Sequence, residues 1–135
     1  MRVAQRGLAA FMPLVDWSRF NRVNVSEEMQ LADASDRALA PKRLPRFACA
    51  TSDQAIVYLL RRDSLLKNGR LDRGAPPLSV KLRMPMLAPG RYAIQAWDTV
   101  AGQPLGASTQ MLGGDSAVDV PAFVADLALA IKRVD

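Results

Sequence analysis

Residues 91–108, RYAIQAWDTVAGQPLGAS, constrain the fold of this 135-residue chain more than any other stretch. Tyr92, Ile94 and Ala96 fall on one side of an extended backbone and Ala93, Gln95 and Trp97 on the other, the period of two of a pleated strand. Asp98 ends the run. Its carboxylate can satisfy nearby backbone N–H groups, and Gly102 can take positive φ and re-aim the chain. The segment therefore reads as a hairpin of four or five loop residues, with a return strand that continues to Leu112 and stops at Gly113 and Gly114. A hairpin needs antiparallel neighbours, and the rest of the chain supplies them.

Residues 47–51 form a short strand, Ser52, Asp53 and Gln54 a turn, and residues 55–61, AIVYLLR, the strongest strand signal. Val57 and Leu59 face one side of that strand and Ile56, Tyr58 and Leu60 the other, so it is an interior strand of a sheet covered on both faces. Residues 62–77 carry Gly69, Gly74 and Pro76–Pro77 and form a surface excursion with room for a short strand near Leu65. In LSVKLRM, Leu78, Val80, Leu82 and Met84 point inward and Ser79, Lys81 and Arg83 outward. Residues 117–120 are a short strand and 121–124 a bend. In DLALAIK, residues 126–132, Leu127, Leu129 and Ile131 alternate inward, while Ala128 and Ala130 allow a neighbour to approach closely. Alanine and leucine also favour a helix here, but the period of two selects a strand.

Before residue 47 the pattern changes. Leu8, Phe11, Met12 and Val15 make one helical stripe over residues 3–20, which Pro13 must either kink or begin. Trp17 and Phe20 extend the apolar surface by a turn and are expected to fill the seam between this helix and the sheets. Ser26 with Glu27 and Glu28 reads as the start of a short helix over residues 27–32. Residues 33–46, with Pro41 and Pro45, read as a linker. The expected architecture is all-β, an antiparallel two-sheet β-sandwich of seven or eight strands preceded by an N-terminal helix. Residues 1–46 supply the helix and linker packed on the sandwich, and 47–135 the sandwich.

Composition narrows the chemistry. Half of the residues are hydrophobic, enough for one real core. The charge is +5, but the basic residues are scattered without aromatic interleaving, so nucleic acid is not an expected partner, and with no run of eighteen apolar residues to form a spanning helix neither is a membrane. With no histidine and one cysteine, Cys49, the chain has no usual zinc set, histidine-based triad or internal disulfide. Asp53, Asp63, Asp72, Asp98, Asp115, Asp119 and Asp126 fall mostly at strand ends and turns, where aspartate caps backbone donors. Asp115 and Asp119 in GGDSAVD offer oxygens to calcium, without an EF-hand loop. Neither a catalytic residue nor a cofactor is expected. The candidate binding or interdomain-packing residues are the large rings and their neighbour: Phe11, Trp17, Phe20, Tyr58, Tyr92, Trp97 and Asp98. The opening residues contain Pro13 and run into Asp16 and Trp17 without a small-residue cleavage pattern, so they read as folded protein, expected to be cut from a longer chain.

The order AIVYLLR (55–61), RYAIQAWDTVAG (91–102) and DVPAFVADLALAIK (119–132) resembles the C-terminal β-sandwich of glycoside hydrolases of the cellulase/mannanase superfamily, including collagen-binding-like accessory domains. The features carrying the resemblance are Ala55, Tyr58 and Leu59, then Trp97, Asp98 and Gly102, then Asp126, Ala128, Leu129 and Ile131. Phe11, Asp16 and Trp17 look like the end of the last barrel helix. The resemblance implies a non-catalytic accessory domain bracing a (β/α)8 catalytic barrel, or alternatively a module that binds polysaccharide or a matrix protein. Two departures stand out. The catalytic carboxylates of such enzymes lie on barrel strands that this chain lacks, and residues 62–77 have no counterpart in the pattern.

Overall fold

In the computed structural model, residues 9–20, 26, 29–34, 44–62, 66–70, 74, 76–99, 102–113 and 116–134 are described. Among them eight strands follow in chain order: β1 Gln30–Ala34, β2 Arg46–Ala50, β3 Gln54–Leu60, β4 Leu78–Arg83, β5 Gly90–Asp98, β6 Gln103–Leu112, β7 Ala117–Phe123 and β8 Asp126–Arg133. They make two antiparallel sheets, of three strands in the order β1-β4-β7 and of five in the order β2-β3-β8-β5-β6. This is the expected all-β sandwich with a short helical element before it.

The alternation read from the sequence sets the register. Val57, Leu59, Tyr92, Ile94, Leu127, Leu129 and Ile131 of the larger sheet are buried with Leu78, Val80, Leu82, Val118, Val120 and Phe123 of the smaller in one core. Val57 lies opposite Leu129 and Ile94 opposite Ile131, so facing side chains of neighbouring strands meet on the same inner surface. Burying side chains of this kind contributes about 1.5–3 kcal/mol apiece. The C-terminal strand β8 sits at the centre of the five-stranded sheet, where its alternation overrides the helix propensity of alanine and leucine.

Several expectations require correction. The helix predicted over residues 3–20 is, among the described residues, α-helical only over 9–11; it tightens into a 3-10 turn at Met12–Leu14 and breaks at Val15, which is extended. Pro13 lacks the N–H that an α-turn would use, and a second 3-10 turn, Trp17–Arg19, starts afresh from an aspartate cap: Asp16 Oδ1 accepts from the Ser18 N–H at 3.1 Å and its hydroxyl at 2.6 Å. The short helix predicted over 27–32 is replaced from Gln30 onward by β1, which pairs with β4. A strand of the smaller sheet thus precedes residue 47. The predicted bend at 121–124 is strand as far as Phe123: β7 is an edge strand, and the irregularity in its pairing with β4 falls opposite Leu78 and Val80, which accommodates Pro121. The proposed strand near Leu65 lies outside the described residues, as does most of the linker.

Arg61 leaves β3 and is buried. Its guanidinium donates to the carbonyls of Pro76 at 2.6 Å and Phe123 at 3.4 Å, pinning the end of the 62–77 excursion to the sandwich. Within that excursion the Leu66 N–H donates to the Arg70 carbonyl at 2.7 Å and the Gly69 N–H to the Leu66 carbonyl at 2.9 Å; Gly69 takes a φ of 80°, so the chain reverses on itself.

Candidate functional site

The outer surface of the five-stranded sheet carries the unusual features. Because alternate residues of each strand must face away from the core, cross-strand partners on that surface form rows. One row runs Phe47, Tyr58, Ala128, Trp97; the next runs Cys49, Ile56, Ala130, Gln95. A solvated sheet face would carry charge at such positions, and these rows carry none.

The N-terminal segment crosses this face. Val15 and Phe20 are buried against Ala130, with Phe11, Leu14, Cys49 and Ile56 packed beside them. The small side chains of β8 leave the space that these residues fill. Gln54 holds the segment in place: its fully buried amide accepts from the Asp16 N–H at 2.9 Å through Oε1 and donates to the Asp16 carbonyl at 2.6 Å through Nε2. One side chain thereby satisfies both backbone groups of a residue that belongs to no strand, the condition for burying such a segment. Arg19 adds an ion pair at the rim, with one guanidinium nitrogen 2.8 and 2.9 Å from the two oxygens of Asp53.

Arg19 and, beyond it, the Thr51 hydroxyl hold the Asp53 carboxyl below its ordinary pKa, and the Ser18 hydroxyl does the same for Asp16. Both folded-state values are depressed, so the unfolded chain binds more protons in acid. The stabilisation is fully present above the ordinary carboxylate pKa of about 4 and is lost as pH falls through the depressed values. Denaturant midpoints measured from pH 6 down to pH 2.5 are expected to fall below about pH 4, and Asp53→Asn to flatten part of that fall, by a modest amount because the pair is solvated.

The segment leaves grooves on either side of itself. One, of about 200 Å³, is lined by Phe11, Phe47, Cys49, Ile56, Tyr58 and Ala128 and is almost wholly apolar. Phe47 remains 54% exposed there. The other, of about 470 Å³, lies toward β6 between Leu14, Gln95, Thr109 and Lys132.

The residues singled out from the sequence separate into three groups. Phe11, Trp17, Phe20 and Trp97 come together as one aromatic cluster: the Phe11 ring meets Trp97 edge-on at 5.8 Å and Trp17 at 6.4 Å, and Trp17 lies 5.7 Å from Phe20. Phe20 and Trp97 are buried, whereas Trp17 is 36% exposed, its indole N–H donating to the Met12 carbonyl at 2.6 Å. The seam is filled by Phe20 and Phe11, and Trp17 forms its rim. Tyr58 belongs to the first groove, its hydroxyl donating to Asp126 Oδ2 at 2.9 Å; the Thr99 hydroxyl donates to the same oxygen at 2.7 Å. Tyr92 and Asp98 stand apart. Tyr92 is core, its hydroxyl proton shared between the carbonyls of Ala88 at 2.7 Å and Ser52 at 3.0 Å. Asp98 closes the β5–β6 turn, its carbonyl accepting from Gly102 at 2.9 Å, where Gly102 takes a φ of 66°.

Phe47, Cys49, Ile56 and Gln54 were not read as site residues. The signal for Phe47 was its place opposite Tyr58; Gln54 resembled an ordinary turn residue. Asp119, one of the two aspartates that offer oxygens to calcium in the sequence, has its carboxylate 3.5 Å from Lys81 Nζ and its backbone N–H and carbonyl both engaged by Gln110; Asp115 lies outside the described residues. Among the described residues no three acidic or thiol side chains converge in metal-binding geometry. The apolar groove offers shape and burial to a partner, and among the described residues its polar groups are the Tyr58 hydroxyl, engaged by Asp126, and the half-buried Cys49 thiol.

Comparison with protein-family models, with curated proteins and with solved structures returns no match.

Proposed function

We propose that this chain is a non-catalytic accessory β-sandwich that braces the catalytic (β/α)8 barrel of a glycoside hydrolase. The docking surface is the outer face of its five-stranded sheet. The observation that carries the reading is the apolar groove beside the pinned N-terminal segment, where Phe47 stands exposed in a row of uncharged side chains. An apolar row left open beside a segment already buried on the same sheet fits continuation onto a second body. The resemblance of residues 55–61, 91–102 and 119–132 to accessory sandwiches supplies the identity of that body, and a segment locked by Gln54 would fix its angle to the sandwich.

The alternative, polysaccharide or matrix binding, draws on Phe47 and Tyr58 as a stacking pair. Their centroids are 6.4 Å apart but the rings are inclined by 34°, a poorer platform for a sugar than for an interdigitating side chain. Phe47→Asp, introduced into an enzyme carrying both domains, is expected to lower the melting temperature of the barrel by several degrees while leaving kcat at 25 °C and the folding of the isolated sandwich unchanged. An unaltered barrel transition would refute the bracing role. Retarded migration of the isolated chain in gels containing soluble glucan or mannan, abolished by the same substitution, would transfer the surface to the alternative.

A further inference from the structure

The groove toward β6, on the other side of the N-terminal segment from Phe47, differs in chemistry from the apolar one. Its volume of about 470 Å³ is that of a small-molecule site, and Ala93, Ala107 and Ala130 line it together with Leu14 and Val134. Two cross-strand rows lay out its floor. In one, Ala93 stands between Lys132 of β8 and Thr109 of β6; in the next, Gln95 stands between Ala130 and Ala107. Neighbouring strands lie about 4.8 Å apart, so Lys132 and Thr109 rise about 10 Å apart with only a methyl group between them. The slot exists because residue 93 is small.

Three polar side chains enter this space with bonding capacity left over. Gln95 uses its Nε2 on the carbonyls of Ala96 at 2.9 Å and Gly106 at 2.8 Å, which fixes the amide and leaves Oε1 as an acceptor. The Thr109 hydroxyl and the Lys132 ammonium take no hydrogen-bond or ion-pair partner among the described residues. The nearby acids are engaged elsewhere: Asp16, whose carboxyl feels the charge of Lys132, accepts from the Ser18 N–H and hydroxyl, and Asp53 is held by Arg19.

We propose that this groove binds a small organic carboxylate with an apolar body. The carboxylate lies over Ala93 and accepts from Lys132 and Thr109, while the body covers Ala107, Ala130 and Leu14 and turns a hydrogen-bond donor toward Gln95 Oε1. Charge selects an acid over an amine, since the described lining residues include an ammonium and no carboxylate. The apolar floor selects an organic acid over an inorganic anion, which would leave the alanines uncovered. The groove is open and its charge solvated, so a Kd of about 1 mM is expected. This binding needs no catalytic barrel and is independent of the docking role given to the Phe47 groove.

N-acetylleucine is the probe, because it joins a carboxylate, an amide N–H and an apolar side chain; uncharged N-acetylleucinamide, of nearly equal size, is its control. In NMR titrations of the full 135-residue chain, N-acetylleucine is expected to shift the methyl signals of Leu14, Ala93, Ala107, Ala130 and Val134, and the amide to bind at least about tenfold more weakly. Lys132→Gln, at an exposed side chain, should weaken N-acetylleucine by about tenfold and leave the control unchanged. Ala93→Leu should abolish binding of both by filling the slot, with the circular dichroism spectrum retained, whereas Lys81→Gln on β4, which removes the same charge elsewhere, should alter neither. Shifts scattered over other surfaces, equal affinity for acid and amide, or binding indifferent to Ala93→Leu would each overturn the proposal.

Discussion

Gly113→Ala is expected to destabilise the sandwich by about 3–5 kcal/mol, combining the strain of a left-handed backbone with overpacking. Gly113 has a φ of 117°, which side-chain-bearing residues rarely adopt, and a Cβ there would lie 2.4 Å from Pro89 Cα and 2.8 Å from Pro89 N. Both obstacles are backbone, in the turn that delivers the chain into β5, so neither can move without disturbing the pairing of Gly90 with Leu112. Gly90→Ala is the control. The atoms nearest its Cβ would be those of the Arg133 guanidinium, at 2.7 Å and beyond, the far end of a flexible side chain that can swing aside, and the expected loss is about 1 kcal/mol or less. Chemical denaturation of the two variants side by side measures the difference; equal losses would mean that Gly113 is not held against Pro89.

Gly113 also marks how far the sequence could be read. The Gly-Gly pair announced the end of β6, because glycine terminates a strand for local reasons. The close approach of Pro89 is a long-range consequence of how two turns stack and leaves no local trace. β4, β5 and β8 were legible because their side chains divide between two faces with a period of two over six or more residues, and β3 because its apolar run fills both faces. β1 was not: QLADA lacks alternation, and Ser26, Glu27 and Glu28 imitate a helix start, so only its pairing with β4 reveals a strand. Pro121 misled in the opposite direction, since proline ends an interior strand but is tolerated at the edge that β7 occupies.

Gln54→Leu carries the second large effect. The two side chains have similar volume, so the substitution leaves the packing nearly intact while stranding the N–H of Asp16 and leaving its carbonyl only the Arg19 N–H at 3.3 Å. A buried unpaired group costs about 1–3 kcal/mol, which is the expected loss unless the N-terminal segment lifts off to hydrate the Asp16 N–H. Lifting off would expose Val15 and Phe20, which are buried against Ala130. Limited digestion with trypsin separates the two outcomes: cleavage after Arg19 is expected to accelerate by at least about tenfold as the population of the open segment rises. An unchanged midpoint and an unchanged cleavage rate together would show that Gln54 does not fasten the segment.

The aromatic residues of the site were legible as a set and not as an arrangement. Phe11, Trp17, Phe20 and Trp97 stood out by size, and the structure gathers them into one cluster. Tyr92 has the same character in sequence but falls on the inner face, because β5 alternates and its even positions from Tyr92 to Ala96 face the smaller sheet. Which face was inner depended on the location of the second sheet. Phe47 gave little sign of itself, since a single ring in a five-residue strand acquires meaning only when Tyr58, Ile56 and Ala128 are brought beside it.

The docking surface can be tested through Cys49, the only cysteine of the chain, which lines the apolar groove in a half-buried position. Its rate of alkylation, followed by mass spectrometry of the peptide that contains it, reports whether the groove is open. If the proposed bracing role holds, the rate in the isolated chain is expected to exceed that in an enzyme joining the sandwich to a catalytic barrel by at least about tenfold, because a docked surface excludes the reagent. Equal rates in the two contexts would contradict the assignment of this face to the barrel.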